Sequence, residues 1–338
     1  MKRGLLILLG ILIVAVGALV YEVLWAPNTF EGDRFVTVSK GDSYSQVVTA
    51  LIDADIIRNR LLFDIAGRML DLTTKMQIGK YRFVSGMSNK DVLEDLRYGK
   101  TIEFITVVIP EGLTAFRHAK IFSRTLGIDS TRYISLVNDS LFAQSLNIFT
   151  QSLEGYLMPS TYKLYWQADE ESIIKEQVKQ FWSVFDDSLR LEAERMGKSL
   201  NDILTIASIV EKETAVDSER ALIAGVYYNR LQKRMRLQAD PTVQYILEDG
   251  PRRLHYSDLQ RESEYNTYLH YGLPPGPISN PGKAAILAAI YPEKNKFLFF
   301  VANGLGGHTF SRTYQEHQKA VKQFRKSREL QEAVKQEG

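Results

Sequence analysis

The strongest hydrophobic signal in the chain comes at its start. After Met1-Lys-Arg, an almost unbroken Leu/Ile/Val/Ala/Gly run extends from Leu5 to Val20 and continues through Tyr21 to Trp25, with Glu22 as its only charge. About 20 apolar residues suffice to cross a bilayer, so the run predicts a transmembrane helix over 5–25 after a cytoplasmic stub over 1–4. The basic flank keeps the N-terminus in the cytoplasm and sends the rest of the chain outside. A cleaved signal peptide is the competing reading. Ala15, Gly17 and Ala18 make a poor cleavage site for it, and Trp25 suits a membrane interface. Under both readings the folded part is extracytoplasmic. Residues 26–34 are a polar, turn-rich linker.

Beyond the linker the pattern changes from continuous to periodic. Phe35 to Ser39 alternates as a strand, Gly41 turns, and Asp42 or Ser43 caps a helix to about Ala54. Arg60 to Leu70 predicts a second helix and Lys80 to Val84 a strand. Ser88 with Asp91 opens a helix that stops near Gly99, and Thr101 to Ile109 is another strand. Residues 35–105 therefore form a small α+β module. Val36, Val38, Gly41, Ala50 and Leu51 match Val107, Ile109, Gly112, Ile121 and Phe122 at one constant offset, a faint internal repeat of strand, glycine turn and helix. The larger domain, 106–338, is mixed and rich in helices, predicted over Glu170 to about Glu194, Leu200 to Thr214 and Ser218 to about Met235. Asp240-Pro241 and Asn280-Pro281 each carry the cap-then-proline signature of a helix start. Phe297 to Ala302 reads as a buried strand. The fold class is α+β, with an N-terminal membrane helix.

Composition narrows the function. The 338 residues are 45% hydrophobic and 24% charged, enough for two domains with real cores. A net charge of +2 gives no case for nucleic acid, and the Lys/Arg-rich stretch from Lys319 to Lys335 alternates in sign as a solvated helix does. The absence of cysteine excludes disulfides, thiolate metal sites and a cysteine nucleophile. No phosphate loop, HExxH motif or serine elbow is present, and five scattered histidines offer no zinc spacing, so neither cofactor nor metal is expected.

Ala207-Ser-Ile-Val-Glu-Lys-Glu-Thr214 places two carboxylates on an otherwise apolar helix. Ser199 and Asp202 make a capping-box start, and Ile203, Ile206, Ala207 and Val210 follow at helical spacing. At about 100° per residue, Glu213 extends the edge of the apolar stripe, near the line of Ile206. Glu211 points about 160° away, so the two do not form a close dyad. Burial beside apolar groups raises a carboxyl pKa, which makes Glu213 the better general acid and leaves Glu211 a supporting or surface role. On the helix alone, both glutamates as solvated residues pairing with Lys212 or Arg220 remains open.

Four further segments are polar, aromatic or glycine-rich beyond the needs of packing. In Leu153 to Tyr162, Glu154 and Tyr156 flank a glycine that lets a ligand approach the backbone, unless the segment is a surface turn. In Leu237 to Val243, Gln238 suits sugar hydroxyls or amides, while Asp240 reads as a helix cap. Tyr265-Asn-Thr-Tyr268 leads into the Pro/Gly-rich loop 272–282, suited either to the wall of a glycan groove or to a structural loop. His308, in Gly306-Gly-His-Thr309, is a weaker candidate.

Taken together, Ala207 to Arg220, Asn229-Arg-Leu231, Leu237 to Val243, Tyr265 to Tyr268, Gly272 to Gly276 and Gly307-His-Thr-Phe310 resemble the endolytic murein transglycosylases of the YceG-like family. The resemblance covers nearly the whole chain, and its first module is similar to a LysM-like domain, with an additional helix. It implies that Glu213 is the catalytic acid/base, with Glu154, Tyr156, Gln238, Tyr265, Asn266 and Tyr268 against the substrate. Tyr265-Asn266 is similar to a substrate-orienting Tyr-Asn pair of other lytic transglycosylases. The implied reaction cuts the bond between N-acetylmuramic acid and N-acetylglucosamine in nascent peptidoglycan and leaves a 1,6-anhydro end. The implied partners are glycan strands, the inner membrane and peptidoglycan synthases. A muramidase using Glu213 with Glu154 or Asp240, and a non-catalytic scaffold for cell-wall synthesis, are the alternatives.

Overall fold

The computed structural model describes residues 2–74, 76–247, 250 and 252–337. The fold is mixed α+β and rich in helices, and the chain divides into two units. The first takes residues 1–107 with two later excursions, 122–128 and 162–169; the second takes the remainder. The excursions return to the first unit from far along the chain.

The first unit opens with helix α1 (Lys2–Leu24), whose stretch Arg3–Leu24 is long and apolar enough to cross a membrane. Strand β1 (Arg34–Val38) leads to α2 (Tyr44–Asp53) and α3 (Arg60–Met69), then to β2 (Gly79–Phe83), α4 (Asn89–Tyr98) and β3 (Ile102–Glu103). The three strands form an antiparallel sheet in the order β1-β2-β3, with Val36 opposite Tyr81. Local signals set these boundaries. Ser43 and Ser88 each close a capping box, and Gly99 ends α4 in the left-handed region at φ +68°. Val36, Val38, Leu51, Phe63, Tyr81, Phe83 and Leu93 form the core, and Val23 and Leu24 at the end of α1 are buried in it.

The strand expected over 101–109 is two strands. Ile102–Glu103 pairs with β2, whereas β4 (Ile105–Val108) pairs with β5 (Thr161–Leu164), and Phe104 between them leaves one sheet for the other. Both copies of the faint repeat do fold as strand, left-handed glycine and helix: Gly41 has φ +93° before α2 and Gly112 has φ +72° before α5 (Ala115–Leu126).

The short helices α6 (Ser130–Val137) and α7 (Ser140–Ser145) fill a region without a predicted element. The helix expected over 170–194 is broken into α8 (Glu170–Val184) and α9 (Asp187–Arg195). Phe185 is buried at the break and Asp186 caps the second piece through the Leu189 amide. The centre of the second unit is α10 (Leu200–Glu213), in which every residue from Ile203 to Val210 is buried. A helix apolar on all sides is a core helix, and the two polar side chains in this run are satisfied: Thr205 bonds the Asn201 carbonyl and Ser208 that of Thr205. Around α10 pack α11 (Asp217–Gln232), α12 (Asp240–Tyr245) and α13 (Lys283–Ile290). Strands β6 (Phe299–Ala302) and β7 (His308–Ser311) form a hairpin, and α14 (Tyr314–Glu337) closes the chain. Strand β6 is only half-buried, because a two-stranded hairpin covers one face at most.

Asn280 does not start a helix. The cap position of α13 belongs to Gly282, while Asn280 is fully buried and joins three segments. Its Oδ1 accepts from the amides of Gly155 and Leu157, and its Nδ2 donates to the Leu113 carbonyl and to Glu154. Asn280→Ala would strand two buried amides, at about 1–3 kcal/mol each. We expect a loss of roughly 2–6 kcal/mol, read as a lower denaturation midpoint.

Candidate functional site

Glu213 is the last residue of α10, where the buried helix emerges. Its carboxyl is half-buried in a cleft of about 350 Å³ lined by Tyr227, Arg230, Gln238, Asp240, Tyr268, Phe300 and His308, among others. The Tyr227 hydroxyl donates to Glu213 Oε1 at 2.5 Å. Burial raises the Tyr227 pKa well above its ordinary value, so this hydroxyl keeps its proton. Burial also pushes the Glu213 carboxyl up to about 7, with a further push from the Asp240 charge, against the opposing bond from Tyr227 and the charge of Arg230. A carboxyl with that value is partly protonated at neutral pH.

The other walls of this cleft are held by polar side chains, of which Arg230 is buried. Arg230, one turn beyond Tyr227 on α11, donates to the carbonyls of Leu298 and Leu237 and so ties the β6 segment and the 237–240 segment to the helix. Gln238 is exposed with φ +47°, an uncommon conformation for a non-glycine residue, held by its amide bond to the Thr267 carbonyl. Asp240 does not cap α12, whose cap position is Ala239. Its Oδ1 instead accepts the Tyr268 hydroxyl at 2.5 Å. His308 is fixed by Glu219, which accepts from the His308 amide at 2.8 Å and meets Nδ1 at 2.6 Å. Burial works against the charge on Glu219, but the bonds from His308 hold its carboxyl below the ordinary value.

Glu211 faces other partners. One oxygen meets Arg220 at 2.9 Å and the other accepts the Gly282 amide at 2.9 Å, with both charged side chains more than nine-tenths buried. It is a supporting residue and not a surface one. The Glu111 carboxylate packs against Gly282 where a Cβ would stand, so a larger residue there would displace that side chain.

The remaining expected substrate residues do not share this cleft. Glu154 and Tyr265 line a second cleft of about 620 Å³ with Tyr245, Asn201 and Pro275. Glu154 accepts the Ala115 amide and the Asn280 side chain, and burial raises its pKa to about 8 despite them. Two of the expected residues are buried. Tyr156 is 1% exposed and packs edge-on against Phe181, while Asn266 is fully buried, its amide spent on the Leu259 and Arg261 carbonyls and the Tyr268 amide. Their side chains are held within the segments beside them. Gly155, read as room for a ligand, admits Pro277: its φ is +89° and a Cβ there would lie 2.4 Å from that ring. Tyr227 lies in no segment singled out in the sequence, while Arg230 and Glu219 lie in segments that carry the resemblance but were given no role there. The i, i+3 spacing of Tyr227 and Arg230 on α11 was the available signal. Among the described residues no group of three or more His, Asp and Glu could hold a metal ion.

Comparison with known proteins gives a consistent outcome. A family model described as the YceG-like family matches residues 36–323. An endolytic murein transglycosylase of Bacillus subtilis (strain 168) is 31% identical over 304 residues, covering 86% of this chain and 84% of its own. One from Streptococcus pneumoniae (strain ATCC BAA-255 / R6) is 30% identical over 325 residues and covers 86% of this chain, which matches only 58% of the pneumococcal protein. A crystal structure of a yceG-like protein from Listeria monocytogenes superposes with a TM-score of 0.61 at 34% identity, covering 86% of this chain and 99% of that one.

Proposed function

The chain belongs to the YceG-like family, and on that premise we propose that it is an endolytic lytic transglycosylase of peptidoglycan, with Glu213 as its single acid/base. The observation that carries this reading is the Glu213 carboxyl itself, half-buried in a cleft, bonded by a protonated tyrosine and raised to about 7. Glu213 gives its proton to the oxygen that leaves C1 of N-acetylmuramic acid as the β-1,4 bond to N-acetylglucosamine breaks. The resulting carboxylate then takes the proton of the C6 hydroxyl of the same sugar, whose oxygen attacks C1 and closes a 1,6-anhydro ring. The nucleophile is part of the substrate, so no water has to be positioned. Gln238 and Tyr268, on the same cleft, contact the sugars beside the cut. Tyr265 and Glu154 contact the strand farther along. The first unit is LysM-like, a reading supported by its β1-α2-α3-β2 order, and α1 anchors the protein in the cytoplasmic membrane with its N-terminus inside. Strand ends made in this position terminate elongation close to the synthases.

Purified glycan digested by the protein and analysed by mass should show products with anhydro ends. A muramidase is the second reading, favoured by Asp240, whose charge in the same cleft is near enough to raise the Glu213 pKa. Digestion in heavy-oxygen water separates the two: label enters the products only in hydrolysis.

The active form of Glu213 in the first step is protonated, so kcat/KM should fall as pH rises through about 7. Tyr227→Phe removes a bond that favours the carboxylate, and the alkaline limb of the profile should move to higher pH. An unmoved limb would show that another group controls it.

A further inference from the structure

The length of α1 and the place where it joins its neighbours imply a second contact with the membrane. Every described side chain from Arg3 to Leu19 is exposed, whereas Val20 is partly covered and Val23 and Leu24 are 3% and 6% exposed, packed into the core of the first unit. The free apolar stretch from Leu5 to Leu19 spans roughly 21 Å at about 1.5 Å per residue. A hydrocarbon core is about 30 Å thick. Reaching that thickness takes about another 9 Å, which extends to Trp25 and includes the turns packed into the first unit. Tyr21 and Trp25, both exposed and one helical turn apart, mark the same level as aromatic interface anchors do.

Helix α3 packs against α1. Its buried arc holds Phe63, Ala66 and Gly67, and the Gly67 flank rests on Tyr44 of α2. On the opposite flank Leu61, Ile65 and Met69 recur every fourth residue and are 66%, 38% and 54% exposed. Three large apolar side chains in line, on a helix packed against the end of a membrane helix, form an unpartnered stripe at the depth where the bilayer surface should lie. Arg68, exposed beside it, can turn its guanidinium to the headgroups.

We propose that α3 lies in the headgroup layer of the membrane that holds α1, with Leu61, Ile65 and Met69 entering the lipid. The proposal rests on α1 crossing that membrane. It makes the first unit a membrane-seated base and not a domain swinging on a linker.

The chain has no cysteine, so single cysteines placed by Ile65→Cys, Leu12→Cys and Lys40→Cys can each carry an environment-sensitive fluorophore on the full chain in lipid nanodiscs. Lipids bearing a nitroxide near the headgroup or deeper in the chain serve as quenchers. The expected result is blue-shifted emission at position 65 quenched by the shallow nitroxide, emission at 12 quenched by the deep one, and neither effect at 40. Quenching at 12 with water-like emission at 65 would overturn the proposal while leaving the anchor standing. A blue shift at 65 without lipid quenching would also overturn it, since another protein surface would then cover the stripe. Loss of quenching at both 12 and 65 would remove the anchor and the proposal with it.

Discussion

Glu213→Gln is expected to lower glycan cleavage by about 10²–10⁴-fold or more, the range that a general acid contributes. The substitution keeps the shape of the side chain and its acceptor oxygen for Tyr227, and removes only the proton that the leaving oxygen needs. Product analysis over time, with unfolding followed on the same samples, separates lost chemistry from lost fold. Cleavage at the wild-type rate by the Gln variant would remove Glu213 from the mechanism. The effect of pH on folding has a fixed sign. The folded-state pKa, about 7, lies above the ordinary 4.5, so the folded chain holds this proton more tightly than the unfolded chain. That contribution is fully present below about 4.5 and is lost as pH rises towards 7. Glu213→Gln should therefore flatten the decline of stability across that window.

Glu211→Ala should act on the fold rather than the chemistry. It leaves the Arg220 guanidinium, 8% exposed, paired only with Asp217, itself 81% exposed, with the Glu111 carboxyl near but outside direct contact. It also strands the Gly282 amide. Breaking a buried pair on one side costs about 3–5 kcal/mol. We expect a loss of that order in the denaturation midpoint, with turnover per folded molecule largely kept. Glu211→Gln, which retains an acceptor for Gly282, should lose less. A stable, inactive Glu211→Ala would instead place Glu211 in the reaction.

These two residues also show what the sequence made legible. Helical spacing separated Glu211 from Glu213, and the capping boxes at Ser43, Ser88 and Ser199 marked three helix starts, because a cap is a contact across three residues. Where the cap-then-proline pattern misled, the partners lie far away in sequence. Asn280 and Asp240 carry the same cap-then-proline pattern, but Asn280 bonds amides more than a hundred residues earlier and Asp240 bonds Tyr268. Asn266 and Tyr156 looked like ligand groups because polar and aromatic residues sit on binding loops and inside them alike. Only burial tells the two apart. The separation of Glu154 and Tyr265 from the Glu213 cleft is a tertiary fact of the same kind.

Glu213 ends α10, at the negative pole of the helix, in a pocket that disfavours its charge. A carboxylate is among the least suitable groups for that spot if folding is the only criterion; an amide or a cation would suit it better. Selection for heat resistance or expression alone should therefore drift away from glutamate at 213, and variants recovered in this way should be hardier and inert. Libraries aimed at a robust form of this protein need a glycan-cutting screen in every round.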